Sequence, residues 1–247
     1  MSPIVWKYLV LTIALLGLGA CTNGAGGDDD NLNGNGGGFE TLSAELCDPA
    51  AGGFTAQIDN AFFPLPPGRT LKLEGMEGAV QVGLTFAVTQ ETETVAGVTT
   101  RVVTETHTED GEIIEISRNF FVQASDGTVC YYGEEVDNFV DGVLANHNGS
   151  WRAGEGGNRP GIFMPGSPRL NTQFNQEDAP GIAEDMSAIV GLGESLTVPL
   201  GAFEDVLHTI DWNPLNGETS ADGEDKFYAP DVGLIRDNTV ELVSMVE

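Results

Sequence analysis

Three histidines, His107, His147 and His208, are the first residues in this 247-residue chain whose type could do chemistry. A zinc site would draw on closely spaced histidines and cysteines, and no H-x-x-x-H spacing or neighbouring cysteine occurs. His208, within FEDVLHTIDW, shares a strand face with Val206, Ile210 and Trp212 and reads as a core histidine. His107 precedes the Asp110-Gly111 turn and His147 precedes a long loop, so both read as exposed. A Ser-His-Asp arrangement is spatial rather than sequential, but nothing matches G-x-S-x-G and no glycine loop leads into a helix to hold phosphate. No catalytic constellation is identifiable, so an enzyme, a hydrolase included, is disfavoured and no cofactor is expected. Acidic clusters are commoner: Glu134-Glu135-Asp137, Glu177-Asp178, Glu184-Asp185 and Asp222-Glu224-Asp225. Such oxygens could converge on calcium, but in so acidic a chain they are read as a solvated face.

The second group lies in SWRAGEGGNRPGIFMPGSPRL, residues 150–170, which carries three of the seven arginines. Trp151, Phe163 and Met164 supply apolar surface, and Arg152, Arg159 and Arg169 supply charge. Arg beside Trp suits an interface, and an arginine at a cavity mouth suits a phosphate or carboxylate. The alternative is a loop folded over one end of the sheet as a plug, its arginines answering the protein's own acids.

The formal net charge is −28, with 38 acidic side chains against 10 basic. A surface of this sign repels nucleic acid and anionic headgroups. MSPIVWK, then YLVLTIALLGL and Gly19-Ala20-Cys21, has the order of a secretory signal over residues 1–20. The apolar run spans only about 16 Å as a helix, short of a bilayer's hydrocarbon core. Leu18-Gly19-Ala20-Cys21 resembles the lipobox of bacterial lipoproteins, which implies cleavage before Cys21 and its acylation. Two or three acyl chains would anchor the protein stably in a membrane. The resemblance places the chain in the bacterial cell envelope, outside the cytoplasm. Thr22 after the cysteine suits the outer membrane, facing the periplasm or the surface. With Cys21 acylated, Cys47 and Cys130 remain as an even pair in an oxidising compartment, either a disulfide or two buried thiols.

Residues 21–45 are rich in Gly, Asp and Asn and read as a disordered tether. Asp29, Asn31, Asn33, Gly34 and Glu40 fit the spacing of a calcium loop. Gly36 stands where such a loop wants an apolar residue and no helix precedes it, so the match is put down to composition and no metal is expected.

Residues 46–247 form one β-rich domain. Ala96-Gly97, Asp110-Gly111, Asp126-Gly127 and Asp141-Gly142 suit tight hairpin turns and frame long antiparallel strands in a meander. Period-two apolar sets occur at Leu84, Phe86 and Val88, and at Ile114, Ile116, Phe120 and Val122. Residues 182–192 carry helical spacing at Ile182, Met186, Ile189 and Val190 and are open between helix and strand. The fold class is all-β, a curved sheet or partial barrel.

Over residues 60–245 the chain is similar to a group of uncharacterised bacterial secreted proteins and lipoproteins. The likeness rests on FFPLPPG, on the run from DGEIIE to DGTVCYYGE, on GSWRAG with PGIFMPGSP, and on GIAED, VPLGAFEDVL and KFYAPDVGLI. It implies a β-rich envelope domain, inclines residues 182–192 to a strand, and carries no activity. Cys130 stands where that pattern has an aromatic, which supports a disulfide with Cys47, and Asp231 where it has glycine. Two functions are expected as alternatives. One is a binding module with an apolar or amphiphilic ligand in the concave face, under the arginine loop. The other is a scaffold whose loop docks an envelope protein.

Overall fold

The turns locate the strands. Ala96 and Gly97 have φ of 49° and 79°, Asp110 and Gly111 of 46° and 83°, and Asp141 and Gly142 of 52° and 72°. Two successive positive φ values give the hairpin turn whose twist matches that of the strands it joins. In the computed structural model, which describes residues 38–247, these turns sit at hairpin tips of one mixed sheet.

The strands are β1 (Glu40–Thr41), β2 (Thr70–Glu77), β3 (Val80–Val95), β4 (Val98–Glu109), β5 (Glu112–Gln123) and β6 (Val129–Val140). There follow β7 (Val143–Asn146), β8 (Trp151–Arg152), β9 (Arg159–Met164), β10 (Thr172–Asn175) and β11 (Glu177–Asp178). The last are β12 (Met186–Val198), β13 (Gly201–Trp212), β14 (Glu224–Ala229), β15 (Gly233–Asp237) and β16 (Val240–Val246). β2 to β6 are the expected meander, β12 to β16 a second one, and β16 pairs with β2 to join them. All pairings are antiparallel except that of β1 with β10. Of residues 182–192, residues 186–192 are strand on β12 and residues 182–185 are the turn and bridge that lead into it, and none is helix.

The hydrogen-bonded path starts at β1 and β10 and ends at β9 and β11, so the ladder is not closed. Yet only Gln176 separates β10 from β11 in the chain. Both ends of the path therefore meet along one segment, and the sheet curls nearly into a barrel. Gly161 makes the seam possible: a Cβ there would overlap the carbonyl oxygen of Gln176.

Three expectations are corrected. Residues 150–170 are not one irregular loop: they supply two strands of the wall, β8 and β9, with turns between and after them. The plug comes instead from the segment before β2, where Phe63 packs against Phe86, Phe121, Phe163 and Tyr228. Folded chain also begins earlier than the tether's expected end at 45, since Glu40–Thr41 pairs with β10 and Ala44–Cys47 forms a short 3₁₀ helix. Cys47 and Cys130 are joined as a disulfide with Cα atoms 5.6 Å apart, and Tyr132 donates to the Cys47 carbonyl at 2.7 Å. No helix among the described residues is long and apolar enough to cross a membrane. Cys21 and all of the calcium-like pattern except Glu40 lie outside the described residues.

Candidate functional site

Strand alternation decides which side chains enter the barrel. On β5 the apolar set Ile114, Ile116, Phe120 and Val122 lies on the face away from the cavity, where Phe120 and Val122 are fully buried in the core and Arg118 and Arg152 lie over the Phe120 ring. The inward set is Glu115, Ser117, Asn119 and Phe121. Opposite them stand Glu105 and His107 on β4 and, past the bulge at Gly133, Tyr131 and Glu134 on β6. β14 and β15 add Lys226, Tyr228, Leu234 and Asp237 from across the barrel.

Most of these residues line a cavity of about 40 Å³. Five aromatic rings line it: Phe63, Phe86, Tyr131, Phe163 and Tyr228. Four acids, Glu105, Glu115, Glu134 and Asp237, line it as well, with Lys226 among them. Lys226 Nζ lies 3.2 Å from Asp211 Oδ2 and 3.8 Å from Asp237 Oδ2, so its charge is committed to that pair. The Tyr131 hydroxyl donates to Asn119 Oδ1, and Asn119 Nδ2 donates to Ser117 at 2.9 Å and Glu105 at 3.4 Å. Behind this wall Trp151 Nε1 donates to Glu177 at 2.9 Å, and Asn213 donates to Asp185 at 3.3 Å. Glu134 is 3 % exposed, and its Oε1 has no hydrogen-bond partner.

Burial without enough counter-charge governs protonation here. Burial, and beyond it the charges of Glu115 and Glu105, push the Glu134 carboxyl well above its ordinary range. Burial and then Asp185 and Glu134 do the same to Glu177. Glu115 is raised to about 7 by burial, against the opposing influence of His107. For Lys226, burial disfavours the charge, but Asp237 and Asp211 outweigh it and hold the ammonium well above its usual range. His107 follows the same logic: burial opposes its charge, and Glu105 and Glu115 raise its pKa nonetheless. Among the described residues no three His, Cys, Asp or Glu converge closely enough to hold a metal ion.

The residues singled out from the sequence do not form one surface. Trp151 is buried with its ring 5.5 Å from Tyr131, Phe163 lines the cavity, and Met164 is buried. Arg152 lies on the outer side, 2.5 Å from Glu135 and 3.5 Å from Glu93. Arg159 meets Asp178 at 2.8 Å and Arg169 meets Glu40 at 3.3 Å, so each of the three arginines pairs with an acid of its own chain.

Two histidines are placed differently from expectation. His107 faces the interior opposite Glu115, with Nε2 3.8 Å from Glu105. His208 is no apolar core residue: it is half-buried, stacked on Phe227 and 2.7 Å from Asp225. His147 is exposed as expected and sits 2.8 Å from Asp137.

Three of the acidic clusters are split by the wall rather than solvated together. Glu134 turns in while Glu135 pairs with Arg118 and Arg152, and Glu177 is buried while Asp178 pairs with Arg159. Asp185 is buried, whereas Glu184 accepts from the Gly181 amide. For Glu134-Glu135 on β6 and Glu177-Asp178 on β11, adjacent acids within a strand were the available signal, because alternation sends one of each pair inward. Comparison with family models, curated proteins and solved structures finds no match to this chain.

Proposed function

We propose that this protein is a lipid-anchored binding protein of the bacterial cell envelope, held by acylated Cys21 and taking a small amphiphilic ligand inside its β domain. The cavity is the observation that carries this reading. It sets five aromatic rings against buried carboxyls, and one of those, Glu134, leaves an acceptor oxygen unused. Buried polar atoms are nearly always paired, so an open acceptor at a cavity wall marks a place where a ligand or ordered water completes the structure. The N-terminal pattern supports the anchor, and the Gly- and Asp-rich stretch that follows it supports a flexible spacer from the membrane.

Native mass spectrometry of the full chain, purified from bacterial envelopes in mild detergent, tests the binding reading. A bound small molecule lost on denaturation is the expected result. A protein carrying nothing from the envelope moves the assignment to a scaffold that works through partner proteins. Cys21→Ser tests the anchor separately, and the variant should leave the membrane fraction.

A further inference from the structure

We infer that the cavity recognises a small organic cation, the ammonium head of an amine-bearing ligand, with Glu134 as its principal acceptor. The inference rests on the binding reading above and specifies the chemistry of that same site.

Charge accounting inside the barrel comes first. Lys226 is shared between Asp211 and Asp237 at 3.2 and 3.8 Å, which leaves no excess positive charge on that side. Glu105, Glu115 and Glu134 then face the cavity with only His107 as a nearby base. Hydrogen bonding separates these three. Glu105 accepts from Asn119, Glu115 lies across the β4–β5 ladder from His107, and Glu134 Oε1 accepts from nothing. The open oxygen takes a donor, and a cation bound beside it would supply the counter-charge that burial denies the Glu134 carboxyl, which releases its proton as the cation binds.

The aromatic lining selects the kind of cation. A metal ion would need several oxygens or nitrogens converging on one point, and no such group exists among the described residues. Aromatic faces attract ammonium and guanidinium groups and pack against the alkyl carbons that carry them. Tyr131 and Phe163, whose ring centres are 5.8 Å apart, both line the cavity that Glu134 faces.

Size sets the scale. A cavity of about 40 Å³ holds about three water-sized atoms, which suits ethylammonium or the head of a longer amine. At the efficiency limit of very small ligands, three heavy atoms correspond to a Kd of about 1 mM.

The test is calorimetric titration of the full chain in detergent at 150 mM NaCl, with ethylammonium and with ethanol as its neutral counterpart. Ethylammonium should bind at least tenfold more tightly than ethanol. Glu134→Gln, close in shape, should weaken ethylammonium at least tenfold while leaving ethanol unchanged, and Glu105→Gln should weaken it less. Asp141→Asn, at an exposed hairpin tip, reports the diffuse attraction of an acidic protein and should have no effect. Equal binding of ethanol and ethylammonium would overturn the cation inference and leave the binding reading standing. So would equal losses in Glu134→Gln and Asp141→Asn. Failure of both probes, together with a bare mass from the envelope preparation, would overturn the binding reading itself.

Discussion

Lys226 shows what a buried ion pair does at the scale of one residue. The residue is 6 % exposed, and its ammonium is held by two acids from neighbouring strands. Replacing it with methionine keeps the volume but strands Asp211 and Asp237 without a counter-charge. Lys226→Met should destabilise the fold by about 3–5 kcal/mol in urea unfolding, far more than a surface substitution. Glu115 acts through protons. Its pKa rises from 4.5 to about 7 on folding, so between these values the folded state holds a proton that the unfolded chain has released. The stabilisation from this group is therefore fully present below 4.5, falls as pH rises, and is gone above about 7. The loss is on the order of 3 kcal/mol, several degrees in Tm. Glu224, also raised to about 7 by burial and the nearby Asp237, adds a change of the same sign. Thermal unfolding at pH 5 and pH 8 should show the drop, and Glu115→Gln should reduce it.

Between elements, the seam of the barrel and the disulfide are the points of leverage. At Gly161, β9 runs so close to the β10–β11 segment that any side chain would drive into the Gln176 and Asn175 carbonyls. Gly161→Ala should cost about 1–3 kcal/mol or more, and hydrogen exchange should rise first in β11 and β9. The Cys47–Cys130 bridge spans a sequence separation of 83 and ties the N-terminal 3₁₀ helix to the outer side of β6. Replacing both cysteines with serine should lower stability by about 4–5 kcal/mol in the chain-entropy view. Intact mass should be two daltons lighter before reduction than after it.

For the whole molecule, charge is the dominant fact. Ten basic side chains cannot neutralise 38 acids, and many of those bases are spent locally. Arg118 and Arg152 share Glu135, Arg69 meets Glu247 at 2.6 Å, and Lys226 is internal. The remaining acids repel one another across the surface, so raising NaCl from 50 mM to 1 M should raise Tm. Glu134→Gln should show the same gain, because the carboxyl it removes lies inside and takes no part in the surface repulsion.

Turn chemistry, strand length and the all-β class were legible from local sequence, because Asp-Gly and Ala-Gly pairs and β-branched runs act within a few residues. Parity alone left the cysteines open between a bridge and two thiols, and the 5.6 Å approach of their Cα atoms is a property of the folded chain. The interior was not legible. Alternation along β5 gives two faces, an apolar one whose Phe120 and Val122 are buried in the core and a polar one whose Glu115, Ser117 and Asn119 line the cavity. Which face lies inside depends on the direction in which the sheet curls, and that is set by pairings between strands far apart in sequence. The curl brings Glu105, Glu115 and Glu134 to face Lys226 and Asp237, which come from the far end of the chain. The sequence alone determined the elements, their turns and the excess of acid. Only the tertiary structure decided which acids would be enclosed, because burial is a property of the closed surface and not of any segment of it.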